Sequence, residues 1–108
     1  MNYKEAERLA GIWLESNRHI IIARNYRIGR SEVDVISLTG ECLYLTEVKY
    51  RTSAVELVED LVDQRQINRI IRAGSPLLQR YKATELKMIL LHYSGNSKEP
   101  KVFHVNID

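Results

Sequence analysis

Three β-like runs follow one another between residues 20 and 50 with no helical period among them, and helical periodicity brackets that stretch on both sides. Ile20-Ile21-Ile22-Ala23 is a continuous apolar run, too short for a helix and suited to a buried strand. Residues 31–38 alternate Val33 and Val35 or Ile36 with polar neighbours and stop at Thr39-Gly40, a turn signal. Residues 41–50 resume as strand, with Leu43, Leu45 and the β-branched Thr46 and Val48, so strand, glycine turn and strand read as a hairpin. Upstream, Leu9, Ile12 and Trp13 recur at helical spacing with Ala6 and Ala10 one turn apart, which predicts a helix over residues 3–16 closed by Asn17-Arg18. Downstream, Val55, Val58, Leu61, Val62, Ile67, Ile70 and Ile71 predict a second helix over 55–73. Gly74-Ser75-Pro76 is expected to interrupt it, with Leu77 to Tyr81 adding one more turn or a short further helix. Residues 86–93 read as a buried strand, 94–97 as a loop and 101–107 as a final alternating strand. The order α-βββ-α-ββ describes an α/β fold in which a mixed central sheet is flanked by helices.

A chain of 108 residues supports one hydrophobic core, so residues 1–108 are expected to form a single domain. Sixteen Lys and Arg against fourteen Asp and Glu leave a net charge of +2, too small for a purely electrostatic DNA coat but compatible with a local basic face. Cys42 is the single cysteine, which excludes an internal disulfide, a cysteine-based zinc cluster and a redox pair. The opening Met1-Asn2-Tyr3-Lys4-Glu5 has no apolar run behind a basic cap, and no stretch reaches the roughly 18 apolar residues of a membrane span. A cytoplasmic protein without a membrane partner is therefore expected. No glycine-rich phosphate loop and no G-x-S-x-G elbow occur, so neither a nucleotide cofactor nor serine-hydrolase chemistry is expected.

Acidic residues are normally kept off strands unless they face water or a cation. Yet Asp34 stands inside Val33-Asp34-Val35-Ile36, and Glu47 inside Leu45-Thr46-Glu47-Val48. Lys49 follows Glu47 by two, which puts both side chains on one sheet face. A favourable hairpin register would bring Asp34, Glu47 and Lys49 to one spot. Two such carboxylates raise each other's pKa until a cation neutralises them, and a hard divalent ion, Mg²⁺ or Mn²⁺, is the natural solution. Glu7, beside the apolar stripe of the first helix, can reach the same place as a further acid. The plainer alternative is a cross-strand salt-bridge ladder on a solvated face.

Taken together, Glu7-x-x-Ala10-x-x-Trp13-Leu14, Ile22-x-x-Asn25-x-Arg27, Glu32-Val33-Asp34-Val35-Ile36 and Thr46-Glu47-Val48-Lys49-Tyr50-Arg51 occur in an order and spacing that resembles a known family. The chain is similar to the YraN-type family of bacterial proteins, read as endonucleases of the PD-(D/E)xK, restriction-endonuclease-like superfamily and distantly related to archaeal-type Holliday-junction resolvases. The resemblance covers about residues 5–75. It implies a restriction-endonuclease-like αβββαβ(β) core, metal ligation by Asp34 and Glu47, a catalytic Lys49 and an accessory Glu7. Three positions depart from the family pattern: Ser31 and Arg18 stand where glycine is usual, and Gln66 where a basic residue is common.

Secondary candidates surround this set. Glu32, two residues before Asp34, can add a ligand or pair with an arginine. Gln66 interrupts an apolar helix face and needs a hydrogen-bond partner, a carboxylate or a phosphate, unless it is simply solvated. Arg24, Arg27, Arg30 and Arg51 crowd the proposed site in sequence, while Arg65, Arg69 and Arg72 form a stripe along the second helix. Residues 1–60 carry eight basic and ten acidic side chains, and residues 61–108 eight and four, so acid gathers with the metal site and base with the helix. The arginines are candidates for DNA contact; a solvated surface is the plainer reading of each alone. Tyr26 and Tyr50 can stack on unpaired bases. His19, His92 and His104 read as packed or exposed strand residues rather than metal ligands, and Cys42 as a small core hydrophobe rather than a nucleophile. The functional expectation is a metal-dependent endonuclease that hydrolyses DNA phosphodiester bonds, with the backbone carbonyl of Val48 as a further ligand. Branched or single-stranded DNA in repair, recombination or DNA uptake is the expected setting, and a homodimer the expected assembly. The alternative is a non-catalytic nucleic-acid-binding or scaffold domain that keeps the fold; a protein-interaction module is a third reading.

Overall fold

The computed structural model describes residues 1–52 and 63–105. Helix α1 (Tyr3–Ser16) is followed by strands β1 (Ile20–Ile28), β2 (Ser31–Thr39) and β3 (Cys42–Arg51), helix α2 (Gln64–Arg80), and strands β4 (Glu85–Ser94) and β5 (Lys101–Val105). The five strands lie in sequence order in one sheet. Neighbours are antiparallel except β3 and β4, which are parallel and joined through the segment that contains α2. The expected α/β order with a mixed sheet flanked by helices is therefore observed, and it is consistent with a restriction-endonuclease-like αβββαβ core. No described helix is long and apolar enough to cross a membrane.

Helix α1 begins where Asn2, in an extended conformation, accepts a hydrogen bond from the Glu5 N–H at 2.9 Å, one of the donors that a helix start leaves unpaired. It ends through Arg18, which adopts a left-handed backbone (φ 68) while the His19 N–H reaches back to the Leu14 carbonyl. That geometry favours glycine. Ala6, Leu9, Ala10 and Leu14 pack on Val35, Val48, Ile89, Leu91 and Tyr93. On the opposite face, Ile67, Ile70 and Leu77 of α2 pack on Val33, Ile36, Leu43, Leu45, Met88 and Leu90.

Two expectations about the second helix need correction. Asp63 is extended and caps α2, its carboxylate accepting from the Arg65 N–H at 2.8 Å, so no single helix runs unbroken over 55–73. The apolar residues Val55, Val58, Leu61 and Val62 lie outside the described residues. Gly74-Ser75-Pro76, expected to break the helix, instead lies inside it. Gly74 is a contact residue: a Cβ there would come within 2.9 Å of Leu45 Cδ1, so the missing side chain lets α2 approach β3. Pro76 sits on the solvent side, where water can satisfy the Arg72 carbonyl that its absent N–H leaves unpaired, and Leu77 beyond it is buried.

Strand β1 also extends beyond the expected Ile20–Ala23 run, through Ile28. Its outer half is polar in sequence and is held as strand by pairing with β2, Arg24 opposite Val35 and Tyr26 opposite Val33. Side-chain alternation breaks at this point in both strands. Val33 and Ile36 pack on the α2 side but Val35 packs on the α1 side. Across from them, Asn25 takes a left-handed backbone (φ 50) between Arg24 and Tyr26. The extra residue of β1 lies further back, where the register shifts between Ile21 and Ala23; at Asn25 the pairing stays one to one while the left-handed backbone re-aims the side chains. Consequently Arg24, Asn25, Asp34 and Val35 all border one cavity beside α1.

Candidate active site

The β2–β3 ladder stops at the pair Val35–Thr46. One residue further, the Asp34 side chain enters the space that a partner strand would fill. Its Oδ2 accepts the Val48 N–H at 2.7 Å and the Tyr3 hydroxyl at 3.0 Å. Val48 thus gives its backbone proton to a carboxylate rather than to a β2 carbonyl. Asp34 is 8% and Glu47 5% exposed, so both acids sit where a charge is costly. Burial raises the Asp34 pKa above the ordinary carboxylate value, against the two hydrogen bonds and the charge of Lys49. Glu47 is pushed up to about 8, first by burial and next by the Asp34 charge, with Lys49 acting in the opposite sense. Glu47 Oε1 is buried with no hydrogen-bond partner among the described residues.

Glu7 lies one helical turn beyond Tyr3 on α1. Burial and the charges of Asp34 and Glu32 raise its pKa, while Arg24 and Lys4 lower it. The Tyr3 hydroxyl is held protonated by burial and by Asp34, with Glu7 and Glu47 adding to the effect. Glu32 is exposed, and its charge reaches Asp34, Glu7 and Glu47. A cavity of about 460 Å³ opens between α1 and the β1–β2 ribbon, with Lys4, Glu7, Arg24, Asn25 and Asp34 on its walls. Gly11 leaves room for the Arg24 guanidinium, which a Cβ there would meet.

Of the sequence candidates, Asp34, Glu47 and Lys49 interact directly, Glu7 joins them through Asp34, and Glu32 stands at the edge; Glu7 and Asp34 border the cavity, while Glu47 and Lys49 do not. Lys49 is half-buried and forms no ion pair within 4 Å among the described residues. Gln66 is half-buried on α2 without a hydrogen bond to either carboxylate. Arg24 borders the cavity, Arg27 stands opposite Glu32 across the β1–β2 ladder, and Arg51 donates to its neighbour's carbonyl, that of Tyr50. Arg65 is exposed at the start of α2, whereas Arg30 and Arg69 meet elsewhere, in a groove between the β1–β2 turn and α2. His19 is a packed residue, bonded to Ser37 at 2.8 Å and edge-on to Tyr44. Cys42 is only half-buried, its thiol 3.6 Å from Glu85 Oε2, and is not the enclosed core residue expected. Tyr3 and Asn25 were not singled out as site residues from the sequence. Tyr3 was legible, standing four residues before Glu7 on the same helix face; the left-handed turn at Asn25 was not.

Whether these residues suit a cation can be judged from Glu47. A buried carboxylate oxygen without a donor, beside a second buried carboxylate, lacks the positive partner such a pair requires. The arrangement fits a hard cation on that ground. Among the described residues, however, no three His, Cys, Asp or Glu side chains converge to metal-binding distance, so the protein's side chains offer a pair rather than a closed cage.

A profile of the uncharacterised protein family UPF0102 matches residues 6–92. A UPF0102 protein of Anaeromyxobacter dehalogenans is 30% identical over 104 residues, covering 94% of this chain and 78% of that protein. One of Chlorobium phaeobacteroides is 34% identical, with 94% and 88% covered. One of Erythrobacter litoralis is 27% identical over 78 residues, with 72% of this chain covered. The match spans 66% of that last relative, just under two thirds of its length.

Proposed function

This chain belongs to the UPF0102 family, and from that premise we propose that it is a metal-dependent endonuclease hydrolysing DNA phosphodiester bonds. The observation that carries the reading is Glu47, a carboxylate buried against a second carboxylate with one oxygen left unpaired. The Asp34…Glu47-x-Lys49 order supports kinship with the PD-(D/E)xK superfamily, as does the αβββαβ core. In this reading Asp34 and Glu47 hold Mg²⁺ or Mn²⁺, the Val48 carbonyl is a third ligand, and Glu7 assists from α1. Such an ion supplies an activated water at neutral pH and stabilises charge on the phosphoryl oxygens. Tyr3 fixes the Asp34 carboxylate through its hydroxyl, and the Val48 N–H holds the same oxygen, so the acid is oriented before substrate arrives. Lys49 sets a positive charge beside the pair and favours their ionised forms; the same charge orients a water or offsets the charge of the phosphate in flight. A branched or single-stranded DNA substrate, a cytoplasmic setting and a homodimer complete the proposal.

A second reading draws on the missing three-acid cage: a non-catalytic nucleic-acid-binding or scaffold domain that retains the fold. Calorimetric titration of Mn²⁺ into the wild type and into an Asp34→Asn, Glu47→Gln double variant separates them, run beside cleavage assays on branched and single-stranded DNA. Mn²⁺ binding lost in the variant, with metal-dependent cleavage lost in Asp34→Asn, Glu47→Gln and Lys49→Ala, is the expected result. Full cleavage in any two of the three single variants sinks the mechanism. Metal binding with no cleavage of any substrate favours the second reading.

A further inference from the structure

Arg30 belongs to the β1–β2 turn, and Arg69 and Arg72 to the middle of α2, nearly forty residues later in the chain. The fold brings these three together around a shallow groove of about 420 Å³, floored by Ile28 and Ala73 with Gly29 at one end. Arg69 and Arg72 are three residues apart, hence neighbours on one helix side. All three arginines are exposed, and none makes an ion pair among the described residues. A side chain built on Gly29 would meet nothing within 4 Å, so the space above the turn is open.

We propose that this groove grips the phosphate backbone of the DNA strand presented to Asp34 and Glu47, a proposal that rests on the nuclease reading for the direction in which the strand leaves. Three guanidinium forks match phosphate oxygens in geometry as well as charge, and an apolar floor takes the sugar face between successive phosphates. Three exposed guanidinium groups around an apolar floor concentrate positive potential in one place, and a polyanion engages all three at once. Position supports the same partner. Arg30 precedes Asp34 by four residues, and a strand rises about 3.3 Å per residue, so the two lie ~13 Å apart along β2. That is about four rises of 3.4 Å along one DNA strand. Measured along β2, the groove therefore lies within a few nucleotides of the carboxylate pair. Exposed Glu32 lies between the two places and opposes the phosphates locally; Arg27, directly across the ladder, faces it.

The test is the salt dependence of binding, read by fluorescence anisotropy with labelled 20-nucleotide single-stranded and duplex DNA. The full chain is used in metal-free buffer, so that cleavage plays no part. Each phosphate neutralised contributes roughly 0.7–0.9 to the slope of log K against log salt. The Arg30→Gln, Arg69→Gln, Arg72→Gln variant is expected to lose about two units of slope and at least tenfold in affinity at low salt. Arg80→Gln, near the far end of α2, is expected to match the wild type. Arg69→Glu alone, an exposed change with the fold checked by circular dichroism, is expected to weaken binding further than Arg69→Gln. Equal slopes in the triple variant and the wild type overturn the groove, as does a wild type that binds neither DNA. The nuclease reading fails separately: slopes that change as expected in a protein that never cleaves DNA leave the groove standing and remove the catalyst.

Discussion

Strand β3 has two neighbours and is paired with them unequally. With β4 it is in register along all ten residues, Cys42 to Arg51. With β2 it pairs at five positions and stops at Val35–Thr46. On the β4 side the outcome is an apolar interior in which Met88, Ile89, Leu90 and Leu91 are almost completely enclosed. On the β2 side the ladder ends early, and the Val48 N–H takes a carboxylate in place of a carbonyl. Both regions are buried, yet one hides hydrocarbon and the other hides ionisable groups. A site is made where a ladder stops inside the protein, because backbone donors freed there can hold an ionisable group that water cannot reach.

The comparison can be broken by truncating each side in turn. Leu90→Ala, on the fully paired side, removes hydrocarbon from a closed core and is expected to cost about 2–5 kcal/mol in urea unfolding. Asp34→Ala, on the open side, strips the Val48 N–H of its acceptor and is expected to cost less, about 1–3 kcal/mol, while Asp34→Asn recovers much of it by keeping an acceptor oxygen. If Asp34→Ala stabilises the protein instead, the carboxylate's burial outweighs both hydrogen bonds it receives.

The pH dependence of stability sharpens the contrast. Glu47 holds its proton in the folded chain up to about pH 8, against an ordinary value of 4.5. A carboxyl whose folded pKa is raised contributes stability that is complete below pH ~4.5 and is lost as pH rises through about 8. Asp34, shifted in the same direction, adds to the trend. Metal-free wild type should therefore unfold at lower urea at pH 8.5 than at pH 5, Glu47→Gln should flatten the profile, and Mn²⁺ should restore stability at the higher pH. A profile that is flat in the wild type removes the case for a strained carboxylate.

The smallest expected effect lies at the last rung of the ladder. Thr46 is fully buried and its hydroxyl finds no partner among the described residues. Thr46→Val keeps the shape and removes the unsatisfied group, so stability should rise by up to ~1 kcal/mol in the same unfolding assay. A loss of stability would mean that the hydroxyl has a water partner at the fork.

Much of this protein was written in local chemistry. The alternation and turn at Thr39-Gly40 gave the central hairpin, helical spacing gave α1, and a carboxylate inside each of two apolar strands marked Asp34 and Glu47 before any contact was known. Those signals survive because hydrophobic period and charge are properties of neighbouring residues. What the tertiary structure alone decided is different in kind. Gly74 and Pro76 read as a helix end, but burial of Leu77 and the closeness of Leu45 keep α2 going through them. Asparagine tolerates the left-handed backbone found at Asn25, but only the fold shows that alternation slips there and at Asp34, with Val33 and Val35 packed on opposite faces. Arg30, Arg69 and Arg72 share a groove because the fold returns α2 to the β1–β2 turn. Sequence determines which residues prefer burial or water, while only the closed fold determines which of them must face one another.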